Sequence, residues 1–508
     1  MTSNTEDHLT LSDYLQKILT ARVYELAVET PVDPMPRCSS RVGSTLLLKR
    51  EDFQPVFSFK IRGALNKIAS LDAPTRTRGV ICASAGNHAQ GVALAAAHFD
   101  APATIVMPVT TPAMKVSAVR ALGATVVLKG ESYAEAAAHA AELQVAHGAT
   151  PIHPFDDPLV IAGQGTVAVE LLRQIPGDLD AVFVPVGGGG LICGMAAYIK
   201  AVRPEIRVVG VQTVDSCAMA QSLERGERVT LDEVGLFSDG TAVKTVGRET
   251  FRLATQLIDD MLLVSNDEVC AAIKDIFEDT RTICEPAGAL ALAGMKRYSM
   301  AQSSPLTLCG IATGANMNFG SLRFVAERAE EREALLAVTI PERPGSFRML
   351  ASLLGEHSIT EFNYRMSDTS EAHVFVGVAA DNSAEIASIL SNLGAHGFTA
   401  LDLSDNDLAK EHLRHMVGGR SAAADDERLY RFLFPERPGA LLRFLDAMQA
   451  DWNISLFHYR NQGSDVGRVL VGIQVPSASE PAFEAFLHTI GYPNHSESDN
   501  LAYQLFLR

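Results

Sequence analysis

A chain of 508 residues has room for three or four domains of ordinary size, which excludes a single small binding module. With 47% hydrophobic and 20% charged residues it has the composition of a folded globular protein, not of a disordered chain or a fibre. The formal charge of −17 repels phosphate backbones and anionic headgroups, so no nucleic acid and no membrane is expected as a partner.

The first chemistry-bearing segment is Ser58-Phe-Lys-Ile-Arg-Gly-Ala64. Lys60 stands between apolar Phe59 and Ile61 and two residues before a second cation, Arg62. Desolvation and a like charge both disfavour the ammonium form, and only the free amine attacks an aldehyde to form a Schiff base. Taken alone, a lysine at a helix start is ordinarily a solvated surface residue.

From Val80 to about Gln212 short β-rich runs alternate with alanine-rich helical stretches. Strands are predicted at Val80–Ala83, Ala103–Val106, Thr125–Leu128, Ala181–Val184 and Arg207–Val211. Between them Asn87–His98, Ala113–Leu122, Ser132–His147 and Leu191–Val202 are long enough for crossover helices, which predicts a parallel sheet with helices on both faces. Leu262–Ser265, a helix from Asp267, another after Pro286 and a strand at Thr307–Cys309 continue the pattern, so residues 1–325 read as one two-lobed α/β unit.

Three turns in this unit sit at strand ends, where a parallel sheet binds ligands. Ser84-Ala-Gly-Asn-His88 opens a helix whose free N–H groups can meet a carboxylate; helix capping by Ser84 or Asn87 is the plain alternative. Gly187-Gly-Gly-Gly190 precedes a helix and suits an anion nest around a phosphate. It fits neither the dinucleotide fingerprint, since Ile192 or Cys193 falls where the third glycine belongs, nor the P-loop pattern, which favours a small phosphorylated cofactor over a flexible loop. Thr313-Gly-Ala-Asn316 places a hydroxyl where a ring nitrogen could be met, although for this segment alone turn capping is the better explanation. Glu285-Pro-Ala-Gly288 offers a carboxylate at a helix start, as ordinary charge complementation requires.

A charged stretch, Ala326–Glu333, marks a boundary, and beyond it the chain repeats itself at a spacing of 94 or 95 residues. Ile340-Pro-Glu-Arg-Pro-Gly-Ser-Phe347 matches Phe434-Pro-Glu-Arg-Pro-Gly-Ala-Leu441, Ile359–Arg365 matches Ile454–Arg460, and Val374–Val378 matches Val469–Ile473. Each copy reads strand, turn, helix, strand, strand, helix, a small α+β sandwich. The expected division is 1–325 catalytic, 326–334 linker, 335–407 first copy, 408–428 connector with its hinge at Gly418–Asp426, 429–501 second copy and 502–508 tail.

Seven cysteines, an odd number with no zinc-ribbon spacing, predict reduced thiols, and no histidine cluster supports a metal site. The N-terminus lacks the basic start and apolar core of a secretory leader, and no uncharged run reaches the ~20 residues of a bilayer span. A cytoplasmic protein is expected.

Taken jointly, S-F-K-I-R-G-A, S-A-G-N-H, the four-glycine loop and T-G-A-N, in that order, resemble the fold-type II pyridoxal-phosphate enzymes, whose catalytic unit is tryptophan synthase β-like. With Phe237-Ser-Asp-Gly-Thr-Ala-Val-Lys244, Glu285–Gly294 and the C-terminal repeat, the chain is similar nearly end to end to the biosynthetic threonine deaminases (threonine ammonia-lyases). The resemblance implies pyridoxal 5'-phosphate held by Lys60 as a Schiff base, Asn87 at the cofactor's phenolic oxygen, Gly187, Gly188, Gly189, Gly190 and Leu191 around its phosphate, and Thr313 at the pyridine nitrogen. Many relatives carry serine at that last position, so threonine keeps the hydroxyl and adds a methyl.

Ser84, Gly86 and His88 would lie along the substrate carboxylate. Lys60 would then act as general base on L-threonine, with L-serine a secondary substrate, and a neutral hydroxyl at the ring nitrogen would favour elimination over transamination. The products would be 2-oxobutanoate and ammonia, the entry to isoleucine synthesis. The tandem copies resemble ACT-like regulatory domains, which implies isoleucine as allosteric inhibitor and a homotetramer. Tyr364 and Tyr459, at matching places in the two copies, are the candidates for gating that site, with core packing of an amphipathic ring the plain alternative. A broad serine/threonine dehydratase without end-product control, a β-replacement enzyme using the same lysine and glycine loop, and a non-catalytic amino-acid sensor are the competing readings.

Overall fold

The computed structural model describes residues 8–328, 333–341, 346–354, 357, 359–364, 371–380, 382–413, 426–435, 443–444, 447–449, 452–460 and 466–507. The chain forms two compact units, residues 1–325 and 326–508. Among the described residues no helix is long and apolar enough to cross a membrane.

The first unit carries strands β1 (Val32–Pro34), β2 (Thr45–Arg50), β3 (Val80–Ala83), β4 (Ala103–Met107), β5 (Thr125–Leu128), β6 (Thr150–Pro151), β7 (Ala181–Pro185), β8 (Arg207–Thr213), β9 (Asp260–Val264) and β10 (Thr307–Ala312). They assemble into two sheets, one per lobe. The smaller lobe is built on β5-β4-β3-β6, all parallel. The larger holds β1-β2-β10-β7-β8-β9, parallel except for β1, which runs antiparallel to β2. Strands such as Ala181-Val-Phe-Val-Pro185 are buried throughout because crossover helices cover both faces, so they read as unbroken apolar runs. Ligands in such sheets bind beyond the carboxyl ends of the strands. Ser84, Gly187 and Thr313 follow β3, β7 and β10 at those ends.

Strand β2 and the antiparallel β1 do not follow from periodicity, because β2 ends in Lys49-Arg50, a pair that reads as a surface turn. Both cations are fully buried. Lys49 Nζ donates to Glu170 Oε2 at 2.7 Å and to the Thr30 carbonyl at 2.6 Å. Glu170 also receives Arg62 Nη1 at 2.6 Å, while Arg62 Nε and Nη2 each meet Glu51 at 2.7 Å. Two buried cations thus face two buried carboxylates. The network ties β2, the helix Lys60–Ala69 and the helix Pro158–Gln174 into one frame.

The second unit is two copies of one module. Strands β11 (Glu333–Pro341), β12 (Ile359–Tyr364), β13 (Glu371–Ala379) and β14 (Thr399–Asp402) form an antiparallel sheet ordered β12-β13-β11-β14. Strands β15 (Glu427–Pro435), β16 (Asn453–Arg460), β17 (Val466–Gln474) and β18 (Asn494–Ser496) repeat it as β16-β17-β15-β18. Even the register irregularity recurs 95 residues on, at Ile359/Glu361 and Ile454/Leu456. The fourth strand of each sheet is an addition to the expected pattern, short and lacking an apolar run.

The expected tail begins within an ordered helix. Leu501–Phe506 is a helix that buries Ala502, Tyr503 and Phe506, and its counterpart Asp407–Glu411 buries Leu408 and Ala409 at the start of the expected connector. Both helices join Leu335 and Phe375 of the first sheet to Leu429 and Leu470 of the second in one core. Their N-caps, Asn406 and Asn500, lie 3.4 Å apart through Nδ2 and Oδ1. The hinge expected at Gly418–Asp426 lies, apart from Asp426, outside the described residues.

Removing one partner from a buried ion network strands the other charges. Arg62→Ala is expected to lower the unfolding free energy of the catalytic unit by about 3–5 kcal/mol, whereas Arg173→Ala, at the exposed pair with Glu29, changes it by at most ~1 kcal/mol. Denaturant melts of the two variants check the difference.

Candidate active site

Lys60 is the first residue of its helix and extends its amine to the Pro154 carbonyl at 3.0 Å. Desolvation lowers its pKa to about 8, against a weaker opposing pull from Glu285. The second cation invoked from sequence plays no part in this. Arg62 points into the buried network below, its charge matched by Glu51 and Glu170, and burial alone depresses the lysine.

The segment around Pro154 also builds the glycine loop. Phe155 packs against it so closely that a Cβ on Gly188 would fall 2.2 Å from the ring, and one on Gly190 3.0 Å from the Phe155 backbone. Gly189 has φ +98°, a conformation side chains disfavour, and the loop opens the helix Gly190–Val202. The first amides of that helix, including those of Gly190 and Leu191, have no intrahelical acceptor and aim at the end of the sheet. Thr250 Oγ1 fixes the loop from behind by donating to the Gly188 carbonyl at 2.7 Å. His153-Pro154-Phe155 therefore binds the lysine amine and walls the glycine loop at once, a link that no spacing in the sequence shows.

Asn87 begins the helix Asn87–His98, and that helix reaches Lys60 closely because a Cβ on Gly91 would come within 3.1 Å of the Lys60 carbonyl. Asn87 Nδ2 donates to Glu285 Oε1 at 2.6 Å, and Asn316 Nδ2 donates to Asn87 Oδ1 at 2.8 Å. Thr313 is buried at the end of β10; its carbonyl accepts the Phe59 amide at 3.2 Å, one residue from Lys60, and its hydroxyl donates to the Ala287 carbonyl at 3.1 Å. Ser84 Oγ accepts the Gly86 amide at 3.3 Å, and a Cβ on Gly86 would meet nothing within 4 Å, so protein packing does not account for that glycine. The His88 ring turns elsewhere. It is buried, Nε2–H donates to the Ile152 carbonyl at 2.8 Å, and desolvation first, then the Lys60 charge, holds its pKa near about 3, so it is neutral.

Lys60, Asn87, Gly187–Leu191 and Thr313 are thus gathered where β3, β7 and β10 end. Tyr364 and Tyr459 belong to the other unit. Their backbones occupy equivalent register positions, opposite Val374 and Val469; their side chains lie outside what is described. In the sequence Glu285 reads as charge complementation at a helix start and Asn316 has no role of its own; only the fold brings them to Asn87.

The arrangement fits pyridoxal phosphate by its own geometry: a glycine cradle at a helix start for a phosphate, a desolvated amine for an aldehyde, and a buried Ser58 hydroxyl without a partner, two residues before Lys60 and bridged through its backbone to Gly314.

Comparison with known proteins agrees. Residues 23–314 match the family described as pyridoxal-phosphate dependent enzyme, and residues 325–413 and 418–507 each match the C-terminal regulatory domain of threonine dehydratase. The chain is 59% identical over 502 residues to the biosynthetic L-threonine dehydratase of Burkholderia multivorans, covering 97% of this chain and 99% of the relative. It is 51% identical to that of Escherichia coli, covering 98% and 97%. The processed form of threonine deaminase isoform 2 from Solanum lycopersicum superposes with a TM-score of 0.62 at 48% identity, covering 63% of this chain and 88% of that one. With likeness running through both units, the chain belongs to the biosynthetic threonine dehydratases, pyridoxal-phosphate-dependent enzymes with a C-terminal regulatory domain.

Proposed function

We propose that the protein deaminates L-threonine to 2-oxobutanoate and ammonia, with L-serine as a poorer substrate, and that Lys60 carries the proton chemistry. The observation behind this is the Lys60 amine, desolvated and held at the Pro154 carbonyl beside the glycine loop. Bound pyridoxal phosphate supplies an electron-withdrawing ring that accepts the electron pair released when the substrate's α-C–H bond breaks. The chain's own residues do the rest.

Gly187–Gly190 and Leu191 would hold the phosphate by backbone amides at a helix N-terminus. Asn87 would serve the phenolic oxygen and Thr313 the pyridine nitrogen. The Thr313 hydroxyl, which donates to the Ala287 carbonyl, would bring no carboxylate charge to the ring nitrogen and so would not enforce its protonation, which supports elimination over transamination. Ser84, the open face of Gly86 and the amide of His88 form the seat of the substrate carboxylate; the neutral His88 ring packs behind it. Lys60, as free amine, takes the α-proton, and the hydrogen bond to Pro154 aims it. Lys60→Ala is expected to abolish both the visible cofactor band and 2-oxobutanoate formation while circular dichroism stays that of the wild type.

Regulation is the task of the second unit. We assign isoleucine as its effector, bound in the tandem modules of a cytoplasmic homotetramer, with Tyr364 and Tyr459 gating the site. The matching register of the two tyrosines supports that assignment. An inhibitor shifts the equilibrium only by its preference for the low-activity state. Isoleucine should lower 2-oxobutanoate production by the wild type, and Tyr364→Ala or Tyr459→Ala should raise the half-inhibiting concentration by about tenfold, equivalent to ~1.4 kcal/mol of coupling. Unchanged inhibition in both variants would remove the tyrosines from the site.

A further inference from the structure

Glu285 is a buried ionisable group that the chemistry above leaves without a task. It stands at the N-cap position of the helix Pro286–Met300, yet its side chain makes no capping hydrogen bond there. The carboxylate turns instead to Asn87, whose Nδ2 donates to Oε1 at 2.6 Å, and it also accepts the Asn316 backbone amide. Asn316 closes the triangle. Its Nδ2 donates to Asn87 Oδ1 at 2.8 Å and to the Val56 carbonyl at 2.8 Å.

Both ends of the Asn87 carboxamide are thereby engaged. An ionised carboxylate only accepts, so the reversed amide would set oxygen against oxygen, and the flip is determined. One N–H and one lone pair of Asn87 remain for a ligand. Close packing confirms how little slack there is, since a Cβ on Gly314 would fall 2.4 Å from Glu285 Oε1.

We propose that Glu285 is a positioning residue for the cofactor: with Asn316 it holds the Asn87 carboxamide in the orientation that presents its remaining N–H to the cofactor's phenolic oxygen. The inference rests on the reading of Asn87 as the ligand of that oxygen.

The electrostatic setting adds a signature. Desolvation, then the Asp239 charge, pushes the Glu285 pKa up to about 7, while the Asn87 and Asn316 hydrogen bonds and Lys115 pull it down; Lys60 and Cys284 also face it. As pH falls through about 7 the carboxylate takes up a proton and its hold on Asn87 weakens.

The test titrates apoprotein with pyridoxal phosphate, following the visible band, in the wild type, Glu285→Ala, Asn87→Ala and the double variant. Each single change is expected to weaken binding about tenfold, and the double variant by no more than about threefold beyond Asn87→Ala, because the two residues act as one. Losses that multiply to about a hundredfold would overturn the proposal.

Glu285→Gln provides a second arm should the alanine variant not fold. It keeps an acceptor oxygen, so affinity should stay within about threefold of wild type while the change of the bound-cofactor spectrum near pH 7 disappears. A Gln variant that retains that change, or binds as weakly as the Ala variant, contradicts the role. A wild type that forms no visible band at all sinks the underlying cofactor reading; a normal wild type with multiplicative losses sinks this proposal alone.

Discussion

The active site depends on keeping one amine out of water while leaving it free to react. The Lys60 ammonium loses solvation in the site, which depresses its pKa to about 8, and the Pro154 carbonyl gives the amine a neutral partner, not a carboxylate that would hold the proton on. The same chain segment presses Phe155 against the glycine loop, so the position of the amine and the shape of the phosphate cradle cannot vary independently. A helix start, a strand-end turn and a three-residue link together fix the reacting centre.

The neighbouring cation is kept apart from that centre. Arg62, two residues along, is wholly committed to Glu51 and Glu170, with Lys49 completing a neutral buried set. Such a network is weak evidence of net stability, because desolvation costs offset the attraction. Its consequence here is geometric: it clamps the helix that begins at Lys60 to β2 and to the helix Pro158–Gln174. The electrostatics that reach the amine come instead from Glu285, which is held by neutral amides.

Much of this was legible in the sequence, and most of the failures share a cause. The β/α alternation placed β3, β4, β5, β7, β8 and their helices almost to the residue, since apolar β-branched strands and the alanine-rich crossover helices between them carry strong local patterns. Strand β2 was hidden because its buried Lys49 and Arg50 look like surface residues until their partners, far away in sequence, are known. Arg62 was misread for the same reason, and so was Glu285, whose position before Pro286 suggests ordinary charge complementation at a helix start. The C-terminal helix Leu501–Phe506 is too short to announce itself; packing on the neighbouring module makes it. Local pattern reveals elements and strand-end turns, while buried charges reveal themselves only in three dimensions.

The most direct test of the amine is its own titration. Apoprotein is mixed with pyridoxal phosphate across a range of pH, the adduct is trapped with borohydride after a fixed short time, and the labelled peptide is mapped. The attachment rate is expected to rise as Lys60 loses its proton, with a midpoint near pH 8 and the label on Lys60. A label on another lysine, or a midpoint near the ordinary lysine value of 10.5, would contradict the account.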